Sequence, residues 1–468
     1  MKKIFYGLCC LVTVFQLQAQ DITGDWYGAI DINGVHLPLV FHIQHAGTAY
    51  SSTMDSPAQG ATGIPVTKTI YDFPNLTIEM PNIQLVYSGE VNNDFTKIEG
   101  NVTQYGNVIP LDLEREAVEP KESSRPQDPK KPYPYRSEDI TFENTAAGHT
   151  MAGTLTLPVG DKQHAVVILI SGSGPQNRNE ELMGHRPFLV LSDYLTRQGI
   201  GVLRYDDRGV GESGGDFSKA TSVDFATDVE AAIAYLKTRK DINPQQIGLI
   251  GHSEGGMIAP MVATQASNEV DFIVLLAGPG IPTAKLMALQ AGRISKVEGV
   301  AEKTRKINRI QTRKINKLLR KELSDEDLRD KLSRRLSILY DKLPSADQEA
   351  LGNKDVFVEN QRMTLMSPWY RYFIAFKPSD YLTKVKCPVL AINGEKDLQV
   401  TAVENLRGIE KALQKADNRN FTTRILDDLN HLFQHAQTGS PEEYGRIEET
   451  FAPEAMELVK DWILMQIE

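Results

Sequence analysis

Apolar and polar positions follow two different rhythms along the chain, and the first is an alternation of period two. Between Asp21 and about Glu116, short runs such as 37–43 and 75–80 place apolar and polar residues in turn, with Gly and Asn pairs between the runs. Such alternation is typical of strands that bury one face. Residues 21–116 therefore predict a small all-β domain.

A proline-rich, charged segment follows this part of the chain. From Glu119 to Tyr135 it contains several prolines and hardly any apolar residue besides tyrosine. Such a composition disfavours regular structure and is typical of an extended connection. We therefore predict a surface linker over residues 117–136.

The second rhythm, beyond the linker, alternates apolar runs with segments of helical periodicity. Runs such as 165–170 and 272–276 are apolar throughout, which is typical of strands buried on both faces of a sheet. The alternation predicts an α/β domain over residues 137–468 with a mostly parallel, eight-stranded sheet. The predicted strands are Ile140–Glu143, Gly153–Pro158, Ala165–Ile170, Gly201–Tyr205, Gln246–Ile250, Phe272–Leu276, Pro388–Ile392 and Phe421–Leu426.

A long, strongly charged stretch of helical character interrupts this alternation between Ile281 and about Pro378. Within it, Ser324 to Asp327 has the pattern of a helix start with a capping acid. Because the stretch lies between the sixth and seventh predicted strands, we expect a helical cap over the sheet at about 281–378.

The first twenty residues contain the three parts of an export signal in order. Two lysines precede an apolar run from Ile4 to Val14, and a short exit ends at Ala19. The run is well short of the roughly 20 apolar residues that a membrane-spanning helix needs. We therefore predict a signal peptide over residues 1–20, a secreted or periplasmic mature chain, and no stable membrane insertion after cleavage.

Charge and cysteine content exclude several classes of function. The net charge of −10 argues against a nucleic-acid-binding protein, which needs a basic face. Of the three cysteines, two lie in the predicted signal peptide, so the mature chain keeps Cys387 alone. A single cysteine forms neither an internal disulfide nor a cysteine zinc site. We predict no cofactor.

Three histidines of the predicted β domain, His36, His42 and His45, could be taken for a metal cluster. No supporting carboxylates are evident around them in the sequence, and single histidines on strands are more often structural. We therefore predict no metal site.

The strongest chemical signal is the run Gly251-His252-Ser253-Glu254-Gly255, between an apolar strand and a helix-like stretch that begins at Met257. This is the context of a nucleophile elbow, a turn so sharp that the serine side chain stands clear of the sheet. The flanking glycines remove Cβ atoms that would collide, and the helix N-terminus favours developing negative charge. We predict that Ser253 is a nucleophile.

A serine nucleophile needs a histidine base and an acid that orients the histidine. After an elbow of this kind, the acid and then the histidine follow the serine along the chain. Seven of the nine histidines precede or adjoin Ser253, which leaves His431 and His435. We predict His431, because it follows the last strand closely and a strand-end loop can carry it over the serine.

The acid is expected after the seventh strand, where the sequence runs Ala391-Ile-Asn-Gly-Glu-Lys-Asp397. We predict Asp397. The alternatives are Glu395, which is nearer the strand end, and Asp427 or Asp428, which are more typical of solvated loops.

Acyl transfer also requires two hydrogen-bond donors for the developing oxyanion. These are usually the backbone N–H after the nucleophile and one in the loop after the third strand. Here they are the N–H groups of Glu254 and Ser173, the latter in the Gly-rich loop 170–175. The loop could be taken for a phosphate cradle, but it lacks the lysine of a P-loop and the spacing of a dinucleotide fingerprint.

Five motifs of the second region occur together, namely Ser171–Pro175, Arg204–Ser213, Gly251–Gly255, Pro388–Asp397 and Asn430-His431. With them, residues 136–468 resemble bacterial esterases of the α/β-hydrolase family, of a secreted kind with an N-terminal β domain. The resemblance implies that fold and the roles assigned above. The chain departs from many relatives in having Ser171-Gly172 where they carry His-Gly, and the Asp206–Gly209 turn is interpreted as a structural, salt-bridged turn.

We therefore expect a carboxylesterase that cleaves small or medium soluble esters through an acyl-enzyme. One alternative is a serine peptidase of the prolyl-oligopeptidase type, although the β region is far too short for a propeller and Glu254 replaces the tyrosine usual after the serine of those enzymes. Another is a non-catalytic protein whose β domain binds a glycan or an envelope partner. The complete order of serine, acid and histidine argues against this last possibility.

Overall fold

In the computed structural model, the described residues are 21–32, 35–47, 49–56, 61–80, 85–104, 107–116, 125–265 and 270–468. The predicted signal peptide and residues 117–124 of the predicted linker lie outside them. The chain forms two compact units, the first mainly the residues up to Glu119 and the second mainly those from Pro120 onward. Among the described residues, no helix combines the length and apolarity needed to cross a bilayer.

The first unit is an antiparallel β-sheet that closes on itself. Its described strands are β1 (Gly24–Ile32), β2 (Val35–Ala46), β3 (Ala49–Ser56), β4 (Ala61–Pro65), β5 (Lys68–Asp72), β6 (Asn75–Met80), β7 (Leu85–Val91), β8 (Lys97–Gln104), β9 (Asn107–Pro110) and β10 (Leu113–Glu114). They follow the order β10-β1-β2-β3-β5-β6-β7-β8-β9, and β4 pairs with β3. Because β10 also pairs with β8, the sheet closes into a barrel.

The period-two pattern explains how this barrel obtains its core. In β6, Leu76, Ile78 and Met80 are buried while the residues between them are not, as expected when successive side chains point to opposite faces. Large side chains such as Trp26 and Phe41 fill the interior. The residues that alternate in the sequence therefore form the buried inner face and the outer face of the barrel.

The second unit contains a sheet in which six neighbouring strands are parallel. Its strands are β11 (Arg136–Asn144), β12 (His149–Leu157), β13 (His164–Ile170), β14 (Gly201–Tyr205), β15 (Ile242–His252), β16 (Ile273–Leu276), β17 (Val389–Gly394) and β18 (Phe421–Leu426). They follow the order β11-β12-β14-β13-β15-β16-β17-β18. The pairs β11–β12 and β12–β14 are antiparallel, and all the others are parallel. This is the arrangement of the α/β-hydrolase fold.

Helices cover both faces of this sheet. The described helices are α1 (Pro187–Arg197), α2 (Ser222–Thr238), α3 (Gly255–Gln265), α4 (Thr283–Val297), α5 (Glu302–Leu319), α6 (Asp325–Lys342), α7 (Ser345–Leu351), α8 (Lys354–Met366), α9 (Pro368–Ala375), α10 (Ser379–Leu382), α11 (Ala402–Lys415) and α12 (Pro453–Ile467). One apolar core joins the sheet to α2, α3 and α11, and a second core joins the other face to α1 and α12. The continuously apolar strands are thus buried on both sides, for the reason that their sequence indicates.

Helices α4 to α9 form the insert between β16 and β17. They share an apolar cluster of their own, which includes Leu328, Leu332 and Leu336 at helical spacing along α6. The predicted start of this helix is confirmed, because α6 begins at Asp325 with Ser324 as its N-cap, whose hydroxyl accepts from the N–H of Asp327 at 3.1 Å. The insert therefore has a core separate from the sheet.

Within the predicted surface linker, Arg125 and Tyr135 are buried, while several of the residues between them are exposed. The guanidinium of Arg125 is buried and donates to the carbonyl oxygens of Met183 at 2.9 Å and Gly445 at 3.0 Å. The hydroxyl of Tyr135, also buried, donates to Asp193 at 2.8 Å. A buried cation needs such partners, and this half of the segment is part of the second unit.

The parallel strands bring the predicted chemistry to one edge of the sheet. Because β13, β15, β17 and β18 run in the same direction, their carboxyl ends lie at the same edge, where α/β proteins bind their ligands. The four segments that follow these strands hold Ser173, Ser253, Asp397 and His431.

Candidate active site

Ser253 lies on a turn that only glycine neighbours allow. It follows β15 and precedes α3. Its φ of 51° lies in the left-handed region of the backbone, which residues other than glycine rarely adopt. A Cβ at Gly251 would lie 2.1 Å from the carbonyl oxygen of Gly255, and one at Gly255 would lie 2.1 Å from that of Ile170. The backbone N–H of Ser253 donates to Leu276 O at 2.9 Å. The elbow is therefore held by close backbone approaches that any larger residue would prevent.

His431 and Asp397 form a buried pair. Nδ1 of His431 lies 2.8 Å from Oδ2 of Asp397, and both side chains are almost inaccessible to solvent. Oδ1 of Asp397 accepts from the N–H groups of Gln399 and Val400, each at 2.8 Å. Since a carboxylate only accepts hydrogen bonds, it fixes the proton of His431 on Nδ1 and leaves Nε2 as the basic nitrogen.

Asn430 shapes the loop that carries His431. Its side-chain Oδ1 accepts from the N–H groups of Leu432 at 2.9 Å and Gln434 at 3.0 Å, and its backbone N–H donates to Gln434 O. Asn430 is fully buried. These bonds replace a regular turn and fix the backbone on both sides of His431.

A cavity of about 210 Å³ contains Ser253 and His431 in the same lining. Asp397 lies behind His431 and does not line the cavity. Much of the wall is apolar, and part of it comes from α4 and α9 of the insert. The apolar lining residues are Leu182, Pro279, Leu286, Met287, Trp369, Phe373, Val400 and Leu432.

The loop after β13 uses most of its polar groups internally. The N–H of Gly172 donates to Glu180 Oε1 at 2.6 Å, and the N–H of Gln176 donates to Asp207 Oδ2 at 3.0 Å. Within the described part of the chain, the N–H groups of Ser173 and Glu254 have no hydrogen-bond partner. Both residues line the cavity. These two amides are therefore available to an oxygen atom placed beside Ser253.

The alternative base lies elsewhere. His435 is half-exposed and does not line the cavity; it pairs with Glu449 at 2.8 Å and Glu454 at 3.0 Å. Among the alternative acids, Glu395, Asp427 and Asp428 are all exposed, and Asp428 pairs with Lys396 at 2.7 Å.

The Asp206–Gly209 turn is bound on all sides by structural contacts. Asp206 Oδ2 pairs with Arg178 at 2.6 Å, and Arg208 donates to Asp228 at 2.8 Å. Asp207 is buried and accepts from the Ser171 hydroxyl at 2.7 Å. Burial raises the pKa of Asp207 well above its usual range. Ser171 occupies the position where many of the esterases that the chain resembles carry histidine. Its hydroxyl is thus bound by this turn.

Glu180 and His252 form contacts beside the site that are not apparent from the sequence. Nδ1 of His252 lies 2.8 Å from Glu180 Oε1, and Nε2 lies 3.0 Å from the carbonyl oxygen of His431. His252 and Glu180 are both buried. The acid lies in a long loop 72 residues before the histidine, so no local pattern connects the two.

The side chain of Glu254 links the elbow to the insert. Its carboxylate accepts from the hydroxyl of Ser222 at 2.6 Å and from Trp369 Nε1 at 2.9 Å. Burial raises its pKa, although the hydrogen bonds from Ser222, Trp369 and Ser173 oppose the rise. The sequence assigns only the backbone amide of Glu254 a role, whereas the side chain also connects the elbow to α9.

The histidines considered as a metal cluster have carboxylate partners, which corrects the expectation that none lie near. His42 lies 2.7 Å from Asp25 and 3.1 Å from Asp55, and His45 lies 2.6 Å from Asp21. The side chain of His36 is outside the described residues. Across the described ranges, no group of three or more histidine, cysteine or acidic side chains has the geometry to hold a metal ion.

The chain is similar to the model of one protein family and to several known proteins. The model of the family described as serine aminopeptidase, S33, matches residues 182–350, a range that includes Ser253 but neither Asp397 nor His431. The chain is 26% identical over 315 residues to the esterase EstD of Thermotoga maritima, covering 67% of this chain and 64% of EstD. It is 30% identical over 125 residues to the uncharacterized protein YfhR of Salmonella typhimurium, covering 27% of this chain and 40% of YfhR.

Among solved structures, the Pyrococcus furiosus esterase Pf2001 matches with a TM-score of 0.44 and 16% identity, over 71% of this chain and 92% of that one. The chain spans 64% of the length of EstD, which is somewhat less than two thirds. The matched family and EstD are both described as hydrolases, and EstD is described as an esterase.

Proposed function

We propose that this protein is a carboxylesterase that works through an acyl-enzyme on Ser253. The observation that carries the proposal is the cavity in which Ser253, on its strained elbow, shares a lining with a His431 whose Nδ1 is bound to buried Asp397. An activated serine needs a base that is itself oriented by an acid. The similarity to EstD supports an ester as the substrate.

In the proposed reaction, Ser253 Oγ attacks the ester carbonyl while His431 Nε2 accepts the hydroxyl proton. Asp397 stabilises the imidazolium that forms and is not itself protonated. The negative charge develops on the former carbonyl oxygen, where the N–H groups of Ser173 and Glu254 can donate to it. His431 then gives its proton to the leaving alcohol, and a water molecule activated by the same nitrogen releases the acid.

The cavity favours small or medium acyl groups. Its volume of about 210 Å³ is below that of a typical drug-sized site, about 300–1,000 Å³. The apolar wall suits the hydrocarbon part of an ester, and the unpartnered amides suit its oxygen. We infer that the substrates are uncharged short esters.

The family description raises aminopeptidase activity as a second candidate. An aminopeptidase must bind a free ammonium group, which requires an accessible carboxylate. The two acids that line the cavity are Glu180 and Glu254, and both are buried and engaged, by His252 and by Ser222 with Trp369 respectively. An ester without a charged amine therefore suits this cavity better.

The proposal is tested with purified protein, a fluorophosphonate probe and two substrate panels, p-nitrophenyl esters of two to twelve carbons and aminoacyl p-nitroanilides. We expect labelling and turnover of the shorter esters, and loss of both in Ser253→Ala. Turnover of the anilides in preference to esters would support the aminopeptidase instead. A folded wild-type chain with neither labelling nor turnover would contradict the proposal.

We predict that His431→Ala lowers kcat/KM by at least about 10³-fold, because serine, base and acid act as a unit. His435→Ala is the matched control. It removes an exposed histidine with two carboxylate partners, and should cost about twofold or less. Steady-state kinetics on one short ester, with melting temperatures to verify folding, compares the two. The reverse order would show that the base is wrongly assigned.

We predict that the insert controls ester size. Trp369→Phe puts a smaller side chain in the wall, which enlarges the cavity, and removes a hydrogen-bond donor from Glu254. The ratio of kcat/KM for eight-carbon over four-carbon esters should therefore rise about threefold to tenfold. Labelling of Ser253 should persist. Tyr370→Phe changes the neighbouring residue of α9, which does not line the cavity, and should leave the ratio unchanged. An unchanged ratio in folded Trp369→Phe would contradict this role.

We also propose that the chain is exported. The charged start, short apolar run and small-residue exit of residues 1–20 support this, in the order that signal peptides require. Mass spectrometry of the protein from its native host should find a chain that begins at Gln20 or Asp21. An intact chain beginning at Met1 would contradict export.

A further inference from the structure

The imidazole of His252 lies between two groups that can only accept hydrogen bonds. Nδ1 contacts the carboxylate of Glu180 at 2.8 Å, and Nε2 contacts the backbone carbonyl oxygen of His431 at 3.0 Å. Neither acceptor carries a proton to give when Glu180 is ionised. Both ring nitrogens must therefore donate, and only the doubly protonated imidazolium does so.

One carboxylate oxygen of Glu180 accepts hydrogen bonds from two partners. Oε1 accepts from His252 and also from the backbone N–H of Gly172 at 2.6 Å, while Oε2 is buried without a partner among the described residues. Gly172 immediately precedes Ser173, whose amide is the proposed oxyanion donor. A Cβ at Gly172 would lie 3.3 Å from the Cβ of Ser253, so this bond lies directly beside the nucleophile.

The two contacts connect the segments that the reaction must hold in register. On one side is the loop that presents Ser173, and on the other is the backbone of the base. The rings of His252 and His431 are 4.9 Å apart. A donor or base displaced by about 1 Å can cost about 10²-fold in rate, so a connection at this place can affect the rate without a contact to the reacting atoms.

We propose that Glu180 and His252 form a charged clasp that positions the oxyanion loop against the His431 backbone, and that the enzyme needs His252 doubly protonated. The proposal rests on the proposed esterase function. Glu180 and His252 are positioning residues, because neither is assigned a contact with the reacting atoms. His252 thus has a positioning role that is separate from the role of the nucleophile Ser253.

The charges around His252 give the clasp a pH dependence. Burial acts to lower the pKa of His252, but the charge and hydrogen bond of Glu180, with smaller contributions from the His431 carbonyl and Asp397, outweigh it and raise the pKa. The clasp is therefore present below this raised value and is lost as the pH rises through it. A neutral imidazole donates only one hydrogen bond, so one side of the clasp then opens.

The test compares Glu180→Gln with Glu449→Gln in the full chain. Each removes a carboxylate that lies 2.8 Å from Nδ1 of a histidine, but Glu449 pairs with His435, outside the cavity. We expect Glu180→Gln to lower kcat about tenfold on a short ester, to change KM little, and to move the alkaline limb of the kcat/KM profile down by about one pH unit or more. Glu449→Gln should leave all three unchanged.

A second variant covers failure of the first to fold. His252→Gln keeps an amide that donates but does not titrate in this range, so it should lower kcat and abolish the alkaline limb. Wild-type kcat and an unshifted limb in either folded variant would overturn the clasp. A purely structural role would lower the yield or the melting temperature without moving the limb.

Melting temperatures give a readout that does not depend on activity. Because the pKa of His252 is raised in the folded chain, its stabilisation is present at low pH and is lost as the pH rises through the folded value. The difference in melting temperature between the wild type and Glu180→Gln should therefore be larger at pH 6 than at pH 10. A difference independent of pH would overturn the clasp. A wild type without esterase turnover would instead refute the proposed function, and the clasp would be judged on melting alone.

Discussion

The close approach of backbones around Ser253 is the constraint on which the rest of the second unit depends. Gly251 and Gly255 contact backbone atoms at distances that leave no room for a Cβ, and a Cβ at Gly256 would lie 2.6 Å from Gly278 Cα. These contacts pack α3 directly against the ends of β13 and β16. The serine can adopt its left-handed conformation only because the surrounding structure imposes it. The elbow in turn fixes where the amide of Glu254 lies, and with it the place to which the base must be brought.

Buried acids around the neighbouring loop explain how that loop can be both polar and rigid. Asp207, Glu180 and Glu254 are all buried, which is costly for carboxylates unless donors surround them. The loop itself supplies donors to Asp207 and Glu180, among them Gly172 N–H and the Ser171 hydroxyl, whereas Glu254 accepts from Ser222 and Trp369. The acids therefore accept hydrogen bonds from several donors of the loop, while the N–H of Ser173 has no partner among the described residues. Such prior orientation is what electrostatic stabilisation of an oxyanion requires, since no donor then has to reorganise during the reaction.

Sequence patterns were informative where the deciding contacts are local. Strand β18 has the predicted bounds Phe421–Leu426, and the cap of α6 at Ser324 depends on a neighbour three residues away. Strand β15 begins four residues earlier than the apolar run indicates, because pairing with β13 extends it to Ile242. Contacts between distant segments could not be predicted in this way. Glu180 and His252 meet across 72 residues, and Arg125 binds carbonyl groups more than 300 residues later. No periodicity or composition records such pairings, and the burial of Arg125 and Tyr135 within the predicted linker could not be predicted for the same reason.

The insert, which we propose controls ester size, is not fully independent of the proposed catalytic residues, although it forms a separate stretch of the chain. The insert contributes none of the residues proposed as nucleophile, base, acid or oxyanion donors, so its sequence could vary without altering them. Yet Trp369 of the insert donates to the carboxylate of Glu254, whose own amide is one of the two proposed oxyanion donors. Glu254 thus offers its backbone N–H to the proposed oxyanion site and its side chain to the cap. The hydrogen bond from Trp369 therefore links α9 to the same residue that carries the amide. The insert should therefore influence the rate as well as the fit of the substrate, and do so through Glu254.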